Sequence, residues 1–199
     1  MTSSKKSNVL LGVVFSGGTG RRMGGVDKGL VTLAGRRLID HVMERFHPQV
    51  DVLLMAGRHD YGLDAPFVVD RDDGPAGPAA ALWATLRWIR DNAPDIEGFV
   101  TAPVDAPFLP LTLAASLSAR GGSAVAYADD YVQPTFAYWR TQSLKDWFDQ
   151  HRNLEAPSLR GIASGVAAAH VTFDDSGAFA NINSPADLEA AERHLADGR

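Results

Sequence analysis

The sequence predicts an α/β fold: a mostly parallel central sheet with helices on both faces. Three observations carry this. Leu10 to Phe15, Val50 to Ala56 and Phe99 to Val104 are continuous apolar runs of strand length, as expected of strands buried on both sides. Amphipathic stretches separate them, so the order from the first strand is strand, helix, strand, strand, helix, strand. The composition is that of an ordinary globule, with 45% hydrophobic and 22% charged residues, which excludes wholesale disorder and fibrous classes.

The elements follow in order. Residues 1–8 are polar and read as a loose tail, leaving residues 9–199 as a single domain. Lys5 and Lys6 before Val9 to Phe15 resemble a signal peptide. The apolar run is short, however, and ends in a glycine loop with no cleavage site, so a first strand is expected and a cytoplasmic location with it. No run approaches the ~20 apolar residues of a membrane span. From Arg36 to His47, the residues Leu38, Ile39, Val42, Met43 and Phe46 form one helical stripe ended by Pro48. Phe67 to Val69 is a short strand, Arg71 to Pro78 a loop, and Pro78 to Arg90 a helix. Pro103 marks the end of the strand that begins at Phe99.

Beyond it, Leu111 to Arg120 reads as helical, and Ala124 to Ala128 and Val132 to Trp139 as a hairpin turning at Asp129-Asp130-Tyr131. Ser143 to His151 and Ser158 to Ala168 are helical and His170 to Phe173 extended. The last helix has a start signal: Ser184 as N-cap, Pro185 in the first turn, and Asp187 three residues after the cap. All four tryptophans read as packing residues, and the six histidines show no metal spacing.

Charge and cysteine content narrow the function. Nineteen Lys+Arg against 24 Asp+Glu give a net charge of −5, which does not suggest a nucleic-acid binder. With no cysteine, disulfides, thiolate metal sites and a cysteine nucleophile are excluded. The chemistry concentrates in Phe15-Ser-Gly-Gly-Thr-Gly-Arg-Arg-Met-Gly-Gly-Val-Asp-Lys28, which leaves the first strand at the sheet edge where α/β folds bind ligands. Glycines let backbone N–H groups approach an anion. Arg21, Arg22 and Lys28 add mobile cations suited to a triphosphate and to charge developing on leaving pyrophosphate. It is neither a Walker A loop nor a dinucleotide fingerprint: Gly18-Thr-Gly20 is followed by Gly24, one residue too late.

This segment resembles the signature of the molybdenum-cofactor guanylyltransferase (MobA) family of nucleotidyltransferases. The resemblance continues in order through Asp70, Gly77-Pro78-Ala79-Ala80-Ala81, Ala102-Pro103-Val104-Asp105-Ala106-Pro107, Gln133-Pro134-Thr135-Phe136-Ala137 and Asn181-Ile182-Asn183-Ser184-Pro185-Ala186-Asp187-Leu188. It implies a three-layer Rossmann-like nucleotidyltransferase fold and transfer of GMP from Mg-GTP to molybdenum-bearing molybdopterin, with release of pyrophosphate.

The family's residue roles map as follows. The resemblance implies that Arg22, Lys28 and Asp105 are catalytic and that the further residues named here act as stated. Phe15, Ser16, Gly17, Gly18, Lys28, Met55, Asp70 and Asp105 bind nucleotide. Asp105 holds Mg²⁺ with Asn183 or Asn181 as a second contact, which agrees with the few protein oxygens magnesium uses. Asn181 and Arg160 face the second substrate. GTP, molybdopterin and other proteins of molybdenum-cofactor biosynthesis are the expected partners, and a monomer the expected state. Four positions depart from the family pattern: Phe15 stands for leucine, Ser16 for alanine, Met55 for asparagine and Ala81 for glycine. A cytidylyltransferase of the same pterin, a sugar-1-phosphate nucleotidyltransferase and a non-catalytic nucleotide-binding module are the competing readings. The Gly17-Gly18 pair favours guanine.

Overall fold

The computed structural model describes residues 9–17, 19–20, 25–69 and 74–197. The first strand, β1 (Leu11–Ser16), is buried along its whole length, which explains its unbroken apolar run. It lies between β6 (Val52–Gly57) and β8 (Gly98–Pro103), parallel to both. The registers Phe15↔Ala56, Ser16↔Gly57 and Phe15↔Pro103 bring the three carboxyl ends to one edge. The edge strand β7 (Phe67–Val69) extends the parallel set.

On the other side of β8 stands β10 (Tyr131–Arg140), antiparallel both to β8 and to β9 (Ala124–Ala128). A final strand, β11 (Ala169–Thr172), lies parallel to β9. The seven-stranded order is β11-β9-β10-β8-β1-β6-β7, so the mostly parallel sheet expected from the sequence is present.

Side chains alternating across the sheet feed two cores. Val14, Met55 and Val100 pack with Ile39, Val42 and Phe46 of α1 (Leu38–Phe46) and with Leu113 and Leu117 of α3 (Leu113–Ser118). Val13, Phe15 and Phe99 face Leu82 and Leu86 of α2 (Pro78–Asn92), Trp147 of α4 (Thr141–Gln150) and Ile162 of α5 (Leu159–Gly165). Both faces are thus covered by helices, as a buried parallel sheet requires.

Two ribbons were not read from the sequence. β2 (Thr19–Gly20) pairs with β3 (Val26–Asp27), and β4 (Thr32–Leu33) with β5 (Arg36–Arg37). Ala34 and Gly35 have φ of 47° and 79°, the positive pair a two-residue hairpin turn demands. Arg36 and Arg37 therefore belong to a strand, and α1 starts at Leu38 rather than at the expected Arg36. Leu33 of the ribbon packs with Leu38, Ile182 and Ala191, seating α6 (Pro185–Ala196) against it. The second-half hairpin does turn at Asp129 and Asp130, with φ of 51° and 61°. Among the described residues no helix is long and apolar enough to cross a membrane.

Candidate functional site

A crevice of about 350 Å³ opens at the carboxyl edge of β1, β6 and β8. Phe15 and Gly17 line it from β1, Gly57 and Arg58 from β6, and Pro103 and Asp105 from β8. Gly77, Pro78 and Ala81 bring the start of the fifteen-residue α2 to the same space. A helix start with free N–H groups favours negative charge, so the crevice has an anion-binding wall. Thr135 reaches it from β10 because the pairing with β9 slips between Gln133 and Ala137. Pro134, which lacks an N–H, sits in that irregular stretch.

The charged centre is built from three remote pieces of chain. Asp27 caps the 3₁₀ turn Lys28–Leu30, its carboxylate accepting the Gly29 N–H at 2.9 Å. The turn directs Lys28 Nζ to Asp105 Oδ2, 2.7 Å away, and to Asn183 Oδ1. Both partners of the ion pair are largely withdrawn from solvent, at 16% and 13% exposure, so water screens it weakly. Asp105 also accepts the Ile182 N–H on its main-chain oxygen at 2.8 Å, which joins the end of β8 to the Asn181–Asn183 segment. That segment is fixed in turn by the cap of α6. Ser184 Oγ accepts the Asp187 N–H at 3.3 Å, and the Asp187 carboxylate accepts the Asn183 N–H at 2.9 Å.

One acceptor here has no partner. Asn181 Oδ1 is buried and unbonded among the described residues, and Asn181 lines the crevice. A buried oxygen left unpaired costs free energy unless a ligand or ion satisfies it. With Asp105 Oδ2 and Asn183 Oδ1 it forms a set of hard oxygens, the donor type magnesium takes. Among the described residues no group of three or more His, Asp or Glu side chains could cage a metal.

A second layer holds the Lys28 turn. Tyr61 donates its hydroxyl to Asp27 Oδ1 at 2.8 Å, and His59 Nε2 stands 3.0 Å from Asp27 Oδ2 without the alignment of a hydrogen bond. Burial first, and then this bond to the carboxylate, pushes the Tyr61 phenol far above its ordinary value. Gly29 makes the contact possible: a Cβ there would lie 2.5 Å from Tyr61 Cζ. Tyr61 itself has φ of 55°, an uncommon backbone for a bulky residue, and Arg37 secures it by donating to its carbonyl at 3.0 Å. Arg37 also grips Asp40 with two nitrogens, at 2.9 and 2.7 Å. This lowers the Asp40 carboxyl below the usual range, through the hydrogen bonds first.

Several residues singled out in the sequence meet here: Phe15, Gly17, Asp105 and Asn181 line the crevice, and Lys28 and Asn183 join Asp105. Ser16, whose expected contact is through the main chain, lies between two of these lining residues, and its buried Oγ donates to the Ala56 carbonyl and accepts the His59 N–H, both at 3.3 Å, so its side chain serves the β6 loop. Others do not meet here. Met55, expected at the nucleotide, is fully buried in the α1-side core, because alternation along β6 points it away from the opposite face. Arg160, expected at the second substrate, lies on α5 at a separate cavity of about 240 Å³ with Val125 and His170, and donates to the Val132 carbonyl at 3.4 Å. Gly18, Arg22 and Asp70 lie outside the described residues.

No role was assigned from the sequence to Arg58, Asp27, Tyr61 or Thr135, although Asp27 and Thr135 lie inside the motifs that carry the resemblance. Arg58 had a signal, since it follows β6 at the same edge as the β1 loop. Pro134 inside a strand pattern signalled the irregularity that exposes Thr135. The meeting of Tyr61 with Asp27 had no local signal.

Comparison with known proteins adds the family. Residues 12–156 match the MobA-like NTP transferase domain. A molybdenum cofactor guanylyltransferase of Cereibacter sphaeroides is 40% identical over 192 residues, covering 94% of this chain and 97% of its own. One from Mesorhizobium japonicum is 32% identical, covering 94% and 96%. Among solved structures, molybdopterin-guanine dinucleotide biosynthesis protein A of Archaeoglobus fulgidus superposes with a TM-score of 0.70 at 24% identity, covering 94% of this chain and 100% of that one. A nucleotidyl transferase of Methanothermobacter gives 0.72 at 18%, covering 97% and 100%. The two structures share the fold, and the sequence matches over nearly the whole length carry the relationship: this chain belongs to the MobA-like NTP transferase family.

Proposed function

We propose that the protein transfers GMP from Mg-GTP to the phosphate of molybdenum-bearing molybdopterin and releases pyrophosphate. The observation that carries this reading is the meeting of Lys28, Asp105 and Asn183 beside a crevice walled by a helix start. The curated relatives of similar length, named for guanylyl transfer to the molybdenum cofactor, support the choice of substrates.

Phosphoryl chemistry of this kind needs no protein nucleophile. An oxygen of the acceptor phosphate attacks the α-phosphorus in line, and the bond to the β-phosphate bridging oxygen breaks. The protein's work is positioning and charge stabilisation. Asp105, with Asn183 and Asn181, would hold Mg²⁺, and that ion when bound supplies charge neutralisation at the reacting phosphates. Lys28, released from Asp105, turns its ammonium to the triphosphate. Arg58 and the start of α2 add positive potential along the crevice. Phe15 and Ala81 offer apolar wall to the nucleoside.

The test is a thermal-shift panel of GTP, CTP, UTP and ATP with Mg²⁺, followed by mass analysis of the product formed from Mg-GTP and molybdenum-loaded pterin. Ligand at 100 times its Kd stabilises by about 2.7 kcal/mol. GTP is expected to give the largest shift, and the product to carry one added GMP. A shift with CTP alone overturns the guanylyl assignment. Nucleotide binding without pyrophosphate release overturns the enzymatic one.

A further inference from the structure

The segment that follows β6 touches two functional places. Arg58 lines the crevice, and Tyr61 reaches the turn that carries Lys28. Gly57 sets this course. Its φ is 138°, and a Cβ there would stand 2.7 Å from Ser16 Oγ and 2.8 Å from the Ser16 carbonyl carbon, so β6 leaves the sheet pressed against the end of β1. The Arg58 N–H donates to the Ser16 carbonyl at 3.4 Å and the His59 N–H to Ser16 Oγ at 3.3 Å, which pins the segment as it departs.

The backbone then turns through left-handed conformations, with φ of 55° at Tyr61 and 69° at Gly62. Asp60 holds this turn: its carboxylate accepts the Gly62 N–H and its main-chain oxygen the Leu63 N–H, both at 3.1 Å. A left-handed aromatic residue persists where its surroundings over-determine it, and such residues gather at functional sites. The result here is specific, because the phenol is aimed at Asp27. Its hydroxyl donates to Oδ1, the same oxygen that accepts the Gly29 N–H. Burial and the neighbouring carboxylate keep the phenol protonated, so it remains a donor.

One carboxylate oxygen thus ties the Lys28 turn to the β6 segment. Lysine has a long, flexible stem, so where its ammonium acts depends on how firmly its backbone is held. Without the Tyr61 hydroxyl, the one hydrogen bond left on the Asp27 carboxylate among the described residues is that from Gly29, with the His59 ring near but unaligned. An ammonium on a loosened turn still attracts a triphosphate. It loses its aim at charge that develops on the leaving group, and such aim is what accelerates a reaction.

We infer that Tyr61 is a positioning residue for the reaction: its hydroxyl, through Asp27, fixes the turn from which Lys28 reaches Asp105 and then the triphosphate. The task given to Lys28 rests on the proposed guanylyl transfer. The hold of Tyr61 on the turn does not.

The test is Tyr61→Phe, which keeps the ring over Gly29 and removes the hydroxyl. Acetylation of Lys28 by trace acetic anhydride is read by mass spectrometry against Lys145, which is exposed on α4. In the nucleotide-free protein, Tyr61→Phe is expected to raise the relative acetylation rate of Lys28 about threefold, as local opening does. Asp105→Asn, which removes the ion partner, is the control that also raises it. In turnover with Mg-GTP and molybdenum-loaded pterin, kcat is expected to fall about tenfold while KM for GTP stays within about twofold. An unchanged acetylation rate overturns the inference. So does an unchanged kcat, or a KM that rises with kcat intact, which would make Tyr61 a nucleotide-binding residue instead. Should Tyr61→Phe fail to fold, Asp27→Asn, which keeps the size of the acceptor and removes its charge, is read in both assays with the same expected directions. If wild type forms no product, the guanylyl-transfer reading falls, and the acetylation rates alone decide for or against Tyr61.

Discussion

Replacing Lys28 by methionine is expected to tighten divalent-cation binding to the nucleotide-free protein. The ammonium occupies the oxygen donors that a metal ion would use: Asp105 Oδ2 at 2.7 Å and Asn183 Oδ1. A cation entering alone must break both contacts. A hydrogen bond to a charged group is worth about 1.5–3 kcal/mol, and the low exposure of this pair, 16% and 13%, keeps it near that range. Since 1.4 kcal/mol is tenfold in affinity, Lys28→Met should lower the Kd for Mn²⁺, a hard-oxygen stand-in for Mg²⁺, by roughly ten- to a hundredfold. Loss of the free Mn²⁺ signal in electron paramagnetic resonance measures this directly, with Asp105→Asn as the control that removes the site. The same Lys28→Met protein should bind Mg-GTP more weakly than wild type. An unchanged or raised Mn²⁺ Kd in Lys28→Met would refute the claim that the ammonium and the metal compete for one set of oxygens.

Two further outcomes follow from the surrounding structure. Gly29→Ala sets a Cβ 2.5 Å from the Tyr61 ring and should destabilise by about 1–3 kcal/mol in urea unfolding. In a Tyr61→Ala background the same change should cost much less, and additive costs would show that the ring is not the obstacle. Asp40→Asn removes the carboxylate that Arg37 holds below its ordinary pKa. A depressed native value contributes stability above the unfolded pKa of about 3.9, and that contribution is lost as pH falls through the native value. The pair is about one-third exposed, so the cost at pH 7 should stay within about 1 kcal/mol and shrink toward zero as melts are taken to pH values below the native pKa. A cost that grows on acidification would reverse the assigned sign.

The sheet was legible because burial on both faces leaves a signature in sequence. β1, β6 and β8 are apolar runs, and α1 and α6 carry their stripe or their cap in local order. The short ribbons β2–β3 and β4–β5 were not legible, since two-residue strands have no period to detect. Arg36 and Arg37 continued the α1 pattern until the Ala34–Gly35 turn claimed them for a strand. In the site, Lys28 and Asp105 could be anticipated because each follows a strand at the same sheet edge. Met55 misled because its family position predicts contact, whereas its place in the β6 alternation sends its side chain into the core. Tyr61 on Asp27 is a contact between residues 34 apart that depends on an uncommon φ and a missing Cβ at Gly29. Periodicity does not encode such a coincidence.

The ion pair at the centre has a thermodynamic consequence for the order of events. With Lys28 on Asp105, the pair carries no net charge, and two of the oxygens that would hold a metal ion in the proposed reaction are engaged. Triphosphate entering the crevice gives the ammonium an alternative partner, which frees Asp105 and Asn183 for a cation. A cation entering first likewise frees Lys28 for phosphate. Each ligand therefore removes the obstacle to the other. Linkage requires the two enhancements to be equal: the factor by which GTP raises Mn²⁺ affinity is the factor by which Mn²⁺ raises GTP affinity. Direct coordination of the metal by the phosphates adds to this coupling in any such enzyme. The part that belongs to Lys28 is the part lost in Lys28→Met, so comparing the coupling factor in the two proteins isolates what the ammonium contributes. If the factors agree, the exchange of partners at Asp105 plays no part in binding.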